Sequence, residues 1–308
     1  MNEAFLTELR AMGPILLDEP LSRHTTIGIG GPADVYFAAR TEEQLRAALR
    51  AARGHGVPMF ILGAGSNVVV LDGGVRGLVI ENATDQVEGP VPNGAGFKVG
   101  AASGVSLAAL ARRLAFAGYA GLEWACGIPG TLGGAVIYNA GAYDRSLLDV
   151  LKGVRVVDPA NGILEMRPEE LTLGYRNSAF TRGVLQGKVV LSLDLILHQD
   201  ASQALATRVA ELDARRQAAQ PRERNAGSIF KNTPEHPAWW LIDQVGLRGH
   251  RIGDAQISPK HTNFIVNCGH ARASDVKALI ALAQERVEER FDLRLEPEVT
   301  LVGEGFDG

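Results

Sequence analysis

Apolar positions in the first 84 residues alternate between helical and extended spacing. Residues 41–44 (Thr-Glu-Glu-Gln) match a capping box, and apolar residues then recur at helical spacing as far as the glycines at 54 and 56. Helices and strands that alternate along a chain are typical of α/β architecture. Apolar, partly β-branched runs predict strands at 57–62, 68–71 and 78–80.

From about residue 85 to residue 200 the pattern changes to short β-like runs with one helix. Ser106 is a candidate cap for that helix, and Gly118 marks its end. The strands of this region are predicted at 153–157, 163–166 and 189–197.

A second helix is predicted from Ser202, and it runs into the basic, polar stretch 215–224, which contains Pro221. We interpret this stretch as the boundary between a front and a back module. The back module has apolar segments at 239–245 and 263–266, followed by a long amphipathic helix that starts near residue 274.

Composition and charge exclude several classes of protein. The 308 residues suffice for roughly two domains of about 150 residues each. The formal net charge is −4, so no positive excess indicates a nucleic-acid partner. No apolar run approaches the roughly 18 residues of a membrane span, and the amino terminus lacks a signal-peptide pattern. The two cysteines are far apart, which favours a reducing compartment. We therefore expect a cytoplasmic protein without membrane or nucleic-acid partners.

Glycine is over-represented, with 36 of the 308 residues, and it concentrates in three loops of the front half. Glycine-rich turns expose backbone amides that can converge on phosphate oxygens. Neither a dinucleotide-binding G-x-G-x-x-G between strand and helix nor a Walker loop is present. Each loop taken singly indicates a structural turn, whereas three together favour a phosphate-bearing cofactor. They lie at 28–34, 63–67 and 127–135.

Seven segments of the chain, in this order, carry a family resemblance. The first four are 24–34 (HTTIGIGGPAD), 63–67 (GAGSN), 127–135 (GIPGTLGGA) and 139–143 (NAGAY). The other three are 174–178 (GYRNS), 226–232 (AGSIFKN) and 295–299 (LEPEV). Over nearly its whole length the chain resembles the UDP-N-acetylenolpyruvoylglucosamine reductase (MurB) family of flavoenzymes. The first two glycine loops also resemble the wider superfamily related to vanillyl-alcohol oxidase, and the last three segments are specific to the reductase.

The resemblance implies an α+β protein in three parts. Two α/β FAD-binding subdomains of the PCMH type would span residues 1–84 and 85–212, and an α+β substrate-binding domain would span residues 213–308. The family has a form with an extra substrate-gripping loop and a shorter form without it. No insertion is evident between Tyr143 and Tyr175, so the chain resembles the shorter form. We expect a monomer.

The resemblance also implies the reaction, which is NADPH-dependent reduction of UDP-N-acetylglucosamine enolpyruvate to UDP-N-acetylmuramate in peptidoglycan precursor synthesis. NADPH would reduce FAD, hydride from the reduced flavin would reach C3 of the enolpyruvyl group, and C2 would then take a proton from the protein. The site must therefore stabilise an enolate-like dianion and supply a proton.

Three residues are implied as catalytic: Arg176, Ser228 and Glu298. A planar guanidinium can bind the substrate carboxylate in two places, which suits Arg176. A protonated Glu298 could donate a hydrogen bond to the growing charge, and Ser228 would give its proton to C2. Glu296, two residues away and on the same face of an extended segment, is the rival acid, and the family pattern favours Glu298.

Further positions are carried over as ligand contacts. The seven histidines show no close ligand spacing, so we expect no metal. Tyr175, Lys231 and Asn232 are predicted to bind substrate. The predicted FAD-binding residues are Ile29, Gly30, Gly31, Gly63, Ala64, Gly65, Ser66, Asn67, Gly127, Gly130, Thr131, Gly133 and Gly134.

Two other functions remain as hypotheses. A flavin-dependent oxidase of the broader superfamily would consume dioxygen and ignore NADPH. A non-catalytic sensor of nucleotide sugars would bind no flavin, and the presence of Arg176, Ser228 and Glu298 in matching contexts argues against it.

Overall fold

The structure is a computed structural model that describes residues 2–158 and 162–304. The chain forms two compact units, each built from three separate segments. The first unit comprises Met1–Ile15, Phe37–Gly63 and Ile80–Arg216, and the second comprises Leu16–Tyr36, Ala64–Val79 and Gln217–Gly308. The change at residue 216 lies close to the boundary predicted after residue 212, but the division into three domains stays a prediction.

Eight α-helices lie in the described residues. They are α1 (Glu3–Met12), α2 (Glu42–Gly54), α3 (Leu107–Phe116), α4 (Leu132–Ile137), α5 (Pro168–Leu171), α6 (Ser202–Ala219), α7 (Ala238–Gln244) and α8 (Ala273–Phe291).

Eighteen strands lie in the same residues. The first nine are β1 (Ile15–Pro20), β2 (Pro32–Ala39), β3 (Met59–Leu62), β4 (Val68–Val70), β5 (Val75–Asn82), β6 (Val87–Asn93), β7 (Gly96–Ala102), β8 (Tyr119–Ala120) and β9 (Gly141–Ala142). The others are β10 (Arg145–Ser146), β11 (Leu151–Asp158), β12 (Gly162–Met166), β13 (Val189–Gln199), β14 (Asn225–Ser228), β15 (Arg251–Ile252), β16 (Ala255–Ile257), β17 (Phe264–Asn267) and β18 (Thr300–Val302).

The strands form one main sheet in each unit. In the first unit a six-stranded sheet has the order β12-β11-β13-β7-β6, with β8 also paired to β13. In the second unit a four-stranded sheet has the order β14-β17-β16-β15, and β18 pairs with β4 in parallel. Another four-stranded sheet has the order β1-β2-β5-β3.

Each unit has its own hydrophobic core. The first packs buried leucines, valines and Trp124 around β7, β11, β13 and α3. The second packs α7 and α8 against β16 and β17, and it also takes in Ile29 and Val69 from the amino-terminal part of the chain. No helix among residues 2–158 and 162–304 is both long enough and apolar enough to cross a bilayer.

Local patterns predicted many of these elements. Thr41 caps α2 by accepting a hydrogen bond from Gln44 N at 3.1 Å. The Gln44 side chain instead accepts from Arg40 N, one residue before the cap, so only half of the capping box forms. Ser106 caps α3 through Ala109 N, and Gly118 follows the helix with φ +83°.

Other elements were missed or differ in extent. The pattern did not predict α1, and the 127–135 loop contains a helix, α4, that begins after Thr131. The predicted boundary stretch 215–224 is helical as far as Ala219, because α6 continues to just before Pro221.

Candidate active site

Ser228 ends strand β14 in the second unit. It pairs with Phe264 of β17, and the register is irregular between Asn225 and Ser228. Gly227 supplies the irregularity with φ +80°, a conformation that favours glycine. The Asn225 side chain accepts a hydrogen bond from Gly227 N at 2.9 Å. The Ser228 side chain is half-buried. Hydrogen bonds hold the backbone on both sides of this irregularity, which is a β-bulge.

Glu298 lies on the chain segment next to Ser228. Glu298 N donates to Ile229 O at 2.8 Å, and Phe230 forms an antiparallel bridge with Pro297. Glu298 is half-buried. The structure therefore brings together two of the three predicted catalytic residues on adjacent backbone segments.

Residues 64–67 of the predicted cofactor loop 63–67 lie near Glu298 in the second unit. Asn67 Nδ2 donates to Glu298 O at 3.0 Å, and Thr300 N donates to Asn67 O at 2.9 Å. The parallel pairing of β4 with β18 continues this contact. Asn67 thus has a direct link to the backbone of Glu298, which the sequence did not indicate.

The two candidate glutamates have different surroundings. Glu296 forms an ion pair with Lys231, with Nζ and Oε1 2.5 Å apart, and its side chain is 68% exposed. Lys231 N also donates to Glu296 O at 2.9 Å. Glu298 is held instead between Ile229 and Asn67. The structure therefore associates Glu296 with the predicted substrate-binding lysine and Glu298 with the segment that carries Ser228.

Asn232 has a structural contact in addition to its predicted role. Its side-chain oxygen accepts from Ala238 N, the first residue of α7, at 2.9 Å. Backbone amides in the first turn of a helix lack partners within the helix, so the carboxamide satisfies one of them. The NH₂ group is the part of Asn232 that could donate to a ligand.

Arg176 lies in the first unit, at the tip of a turn. Gly174 N donates to Asn177 O at 2.9 Å, and Arg176 Nη2 donates to Gly141 O at 2.9 Å. The neighbouring Tyr175 is 59% exposed, and its ring centroid is 5.7 Å from Arg176 Cζ. Tyr175 and Arg176 are thus presented side by side.

The backbone around Arg176 is strained. Of the seven described residues other than glycine with positive φ, five lie in this region. Side chains that branch from Cβ or are bulky adopt such conformations rarely, and strained residues cluster at functional sites. Because several hydrogen bonds fix the turn, the strain supports its interpretation as a functional element. The five residues are Asn139, Tyr143, Asp144, Thr172 and Arg176.

Arg216, at the carboxyl-terminal part of α6, is a candidate that sequence reasoning missed. Its Cδ is 2.6 Å from the position that a Cβ on Gly127 would occupy, so the glycine makes room for the arginine. Burial lowers the pKa of Arg216, and the charge of Arg176 lowers it further, against the opposing effects of Tyr143 and Cys126. Two neighbouring guanidinium groups favour binding of an anion. The adjacent pair Arg215-Arg216 is the available signal in the sequence, but the basic, polar stretch that contains it indicates a boundary between modules.

Glycines of the predicted cofactor loops also allow close packing of the protein itself. A Cβ on Gly63 would lie 2.7 Å from Thr131 Oγ1, and one on Gly31 would lie 2.3 Å from Asp72 O. Gly133 N donates to Ser103 O at 2.7 Å, and the Gly134 amide is capped by Thr131. These contacts explain several glycines without a ligand, and their cofactor role stays a prediction.

The loop 64–67 nevertheless fits a phosphate-bearing cofactor. Gly65 has φ +60°, and its backbone lies against His24, where a Cβ would be 2.1 Å from the carbonyl oxygen. Within the described chain the backbone amides of Ala64, Gly65 and Asn67 donate to no other backbone group. Such amides are suitable donors for the phosphate oxygens of FAD.

Comparisons with known proteins show the family to which the chain is similar. The family described as FAD binding domain matches residues 33–167, and the family described as UDP-N-acetylenolpyruvoylglucosamine reductase, C-terminal domain, matches residues 220–302. A relative from Synechococcus sp. (strain JA-3-3Ab), named UDP-N-acetylenolpyruvoylglucosamine reductase, is 42% identical over 300 residues, which cover 97% of this chain and 94% of the relative. A relative of the same name from Clostridium botulinum (strain Hall) is 39% identical over 94% of this chain and 93% of its own.

A solved structure of the same family is similar in fold. The crystal structure of UDP-N-acetylenolpyruvylglucosamine reductase (MurB) from Thermus caldophilus is 37% identical and superimposes with a TM-score of 0.76, covering 94% of this chain and 98% of that one. Fold and comparisons together define an FAD-dependent oxidoreductase of mixed α+β architecture with a PCMH-type FAD-binding domain. The chain belongs to the UDP-N-acetylenolpyruvoylglucosamine reductase (MurB) family, whose reaction is a reduction step of peptidoglycan synthesis.

Proposed function

We propose that the protein uses NADPH to reduce the enolpyruvyl ether of UDP-N-acetylglucosamine enolpyruvate to the lactyl ether of UDP-N-acetylmuramate, acting as a monomer. The glycine loops at 28–34, 63–67 and 127–135 would hold FAD, which would supply the hydride chemistry between NADPH and C3 of the substrate. The protein's own residues then bind the substrate, stabilise the charge that develops at its carboxylate, and deliver a proton to C2.

The observation that carries the proposal is the placement of Ser228 beside Glu298. A hydroxyl is a weak acid, so it must be held rigidly against a strongly basic carbon to act as a proton donor. The backbone of Ser228 pairs with strand β17, and the backbone oxygen of the next residue, Ile229, accepts a hydrogen bond from Glu298 N at 2.8 Å. This arrangement supports a proton donor and a carboxyl group that act on the same three-carbon unit.

Arg176 is proposed to bind the substrate carboxylate. Its planar, permanently charged guanidinium matches the two carboxylate oxygens, and charge that spreads into the carboxylate during reaction is stabilised there. Glu298, when protonated, donates a hydrogen bond to the same developing charge. Tyr175, Lys231 and Asn232 are proposed to bind the sugar nucleotide, with Lys231 oriented by Glu296.

The experiment is a turnover assay in deuterium oxide with purified protein. We expect a yellow preparation that oxidises more than one equivalent of NADPH only when the enolpyruvyl sugar nucleotide is present, with solvent deuterium incorporated at C2 of the product. Deuterium at C3 without deuterium at C2 would contradict the proposed direction of hydride delivery. Consumption of dioxygen with indifference to NADPH would indicate an oxidase, and a colourless protein that cannot be reconstituted with FAD would contradict the proposal as a whole.

A further inference from the structure

Asn263, just before strand β17, makes an unusual set of contacts with the segment that follows Ser228. Its main-chain oxygen accepts from Ile229 N at 2.9 Å, and its side chain bonds both backbone groups of the next residue. Phe230 N donates to Asn263 Oδ1 at 2.9 Å, and Asn263 Nδ2 donates to Phe230 O at 2.8 Å. The residue is only 4% exposed.

The carboxamide replaces a missing part of the sheet. Strand β17 pairs with β14 up to Phe264, opposite Ser228, but the chain before Phe264 turns away, with Phe264 N bonded to His261 O at 3.0 Å. Without a paired residue at that point, the backbone groups of Phe230 would be buried without partners, which costs free energy. The planar amide of Asn263 presents one acceptor and one donor, as a strand residue would.

The other side of the same segment holds Glu298. Ile229 O accepts from Glu298 N at 2.8 Å, and Phe230 bridges to Pro297. Residues 229 and 230 are therefore fixed between Asn263 on one side and the Glu298 segment on the other. A displacement of this segment would change the distance between Ser228 and Glu298.

We propose that Asn263 is a positioning residue that sets Ser228 against Glu298 for proton delivery to C2. The inference rests on the proposed function of Ser228. The hydrogen bonds of Asn263 described above are all to backbone groups, so its effect reaches the substrate through the orientation of Ser228. Misplacement of a reacting group by about 1 Å can slow a reaction by roughly 100-fold.

The test compares Asn263→Ala with the wild type in two half-reactions, each measured anaerobically in a single turnover. We expect the NADPH half-reaction to be unchanged and the sugar-nucleotide half-reaction to be about 100-fold slower. In the cofactor-free protein we expect faster hydrogen exchange of the Phe230 amide, measured by NMR or on a peptide that covers residues 226–231. Equal slowing of both half-reactions, or no slowing of the second, would overturn the proposal.

Asn267→Ala is the matched control. Asn267 is another buried asparagine at the far end of β17, and it bonds Ile27 O at 3.0 Å, Gly269 N at 3.0 Å and Ala271 N at 3.1 Å. Its loss should lower the melting temperature without changing the ratio of the two half-reaction rates. If Asn263→Ala does not fold, Asn263→Ser, which retains a single hydroxyl, allows the same comparison.

Ser228→Ala separates failure of the inference from failure of the proposed function. If Ser228→Ala leaves the sugar-nucleotide half-reaction unchanged, the proposed function of Ser228 is wrong. If Ser228→Ala slows that step and Asn263→Ala does not, only the positioning role is wrong. Because Asn263 acts through Ser228, adding Asn263→Ala to Ser228→Ala should slow the step no further.

Discussion

The two glutamates of the segment 295–299 (LEPEV) show that the surroundings of a residue determine which role it can have. From the sequence, Glu296 and Glu298 were rivals for one role, and only the family pattern distinguished them. In the structure Glu296 is 68% exposed and bound to Lys231, whereas Glu298 is half-buried between Ile229 and Asn67. An exposed ion pair contributes little to stability. We therefore expect the main effect of Glu296 to be the orientation of the Lys231 side chain.

Substitution of each glutamate by glutamine should therefore affect different kinetic constants. Glu298→Gln loses the acidic proton and should lower kcat about 100-fold, since one general acid or charge-stabilising group typically contributes at least this factor. Glu296→Gln frees Lys231 and should raise KM for the sugar nucleotide several-fold at unchanged kcat. Steady-state kinetics with saturating NADPH measure both, and a reversed pattern would show that the roles are exchanged.

Arg176 illustrates what sequence can and cannot provide at the residue scale. The motif GYRNS was sufficient to select Arg176 and Tyr175 through resemblance. The positive φ of Arg176 and its bond to Gly141 depend on residues 35 positions away, so no local pattern could reveal them. Arg216 was missed for the same reason, because its relation to Gly127 and Arg176 is created only by tertiary structure.

At the scale of elements, caps and periodicity predicted the helices that have ordinary sequences. Helices α2 and α3 have a side-chain cap and an apolar face, and both were found from these features. Helix α4 has only six residues, two of which are glycines with poor helix propensity, so its sequence is typical of a loop. It forms because Thr131 caps it and because Leu132 N and Gly133 N bond to the chain at Val105 and Ser103.

The loop 64–67 should tolerate no side chain at Gly65. Gly65→Ala combines an unfavourable φ with a clash of the new Cβ, 2.1 Å from His24 O. Gly94→Ala is the matched control, since Gly94 has φ +57° and nothing within 4 Å of the added atom. We expect a loss of about 1 kcal/mol for Gly94→Ala and about 3 kcal/mol or more for Gly65→Ala, with weaker FAD retention only in the latter. Equal losses in urea unfolding of the flavin-free proteins would contradict the packing argument.

Helices α3 and α6 are joined by an ion pair whose contribution should depend on pH. Arg112 bonds both oxygens of Asp213, at 2.5 and 2.7 Å, and this contact lowers the pKa of Asp213. A carboxyl with a lower pKa in the folded state stabilises the protein fully above its unfolded pKa of about 3.9, and the stabilisation is lost as the pH falls through the folded value.

Asp213→Asn should accordingly lower the free energy of unfolding by about 1 kcal/mol at pH 7, with allowance for the partial exposure of both side chains. The difference from the wild type should shrink as the pH falls below about 4. Urea unfolding across this range measures it. A difference that stays constant with pH would mean that the ion pair is not its source.

At the scale of the whole molecule, the α+β class and the cofactor were accessible from the sequence, because the motifs are distributed along nearly the whole chain. The sequence did not predict which parts of the chain form each unit, because each unit is assembled from three separate segments. The segment Ala64–Val79, which contains loop 64–67, belongs to the second unit, although Phe37–Gly63 before it and Ile80–Arg216 after it belong to the first. Ser228, Glu298 and Asn67 therefore share a unit through contacts across about 230 residues of sequence, of which Asn67 to Glu298 is one. Such long-range contacts produce no periodic pattern in the sequence.

The central claim is that a hydroxyl on strand β14 protonates the substrate, and a single-turnover experiment with Ser228→Ala tests it most directly. The variant protein is loaded with FAD, titrated anaerobically with NADPH, and then mixed with the enolpyruvyl sugar nucleotide. We predict normal oxidation of NADPH in the first stage and, in the second stage, product formation slowed by about 100-fold or more relative to the wild type. Product formation at the wild-type rate would contradict the claim.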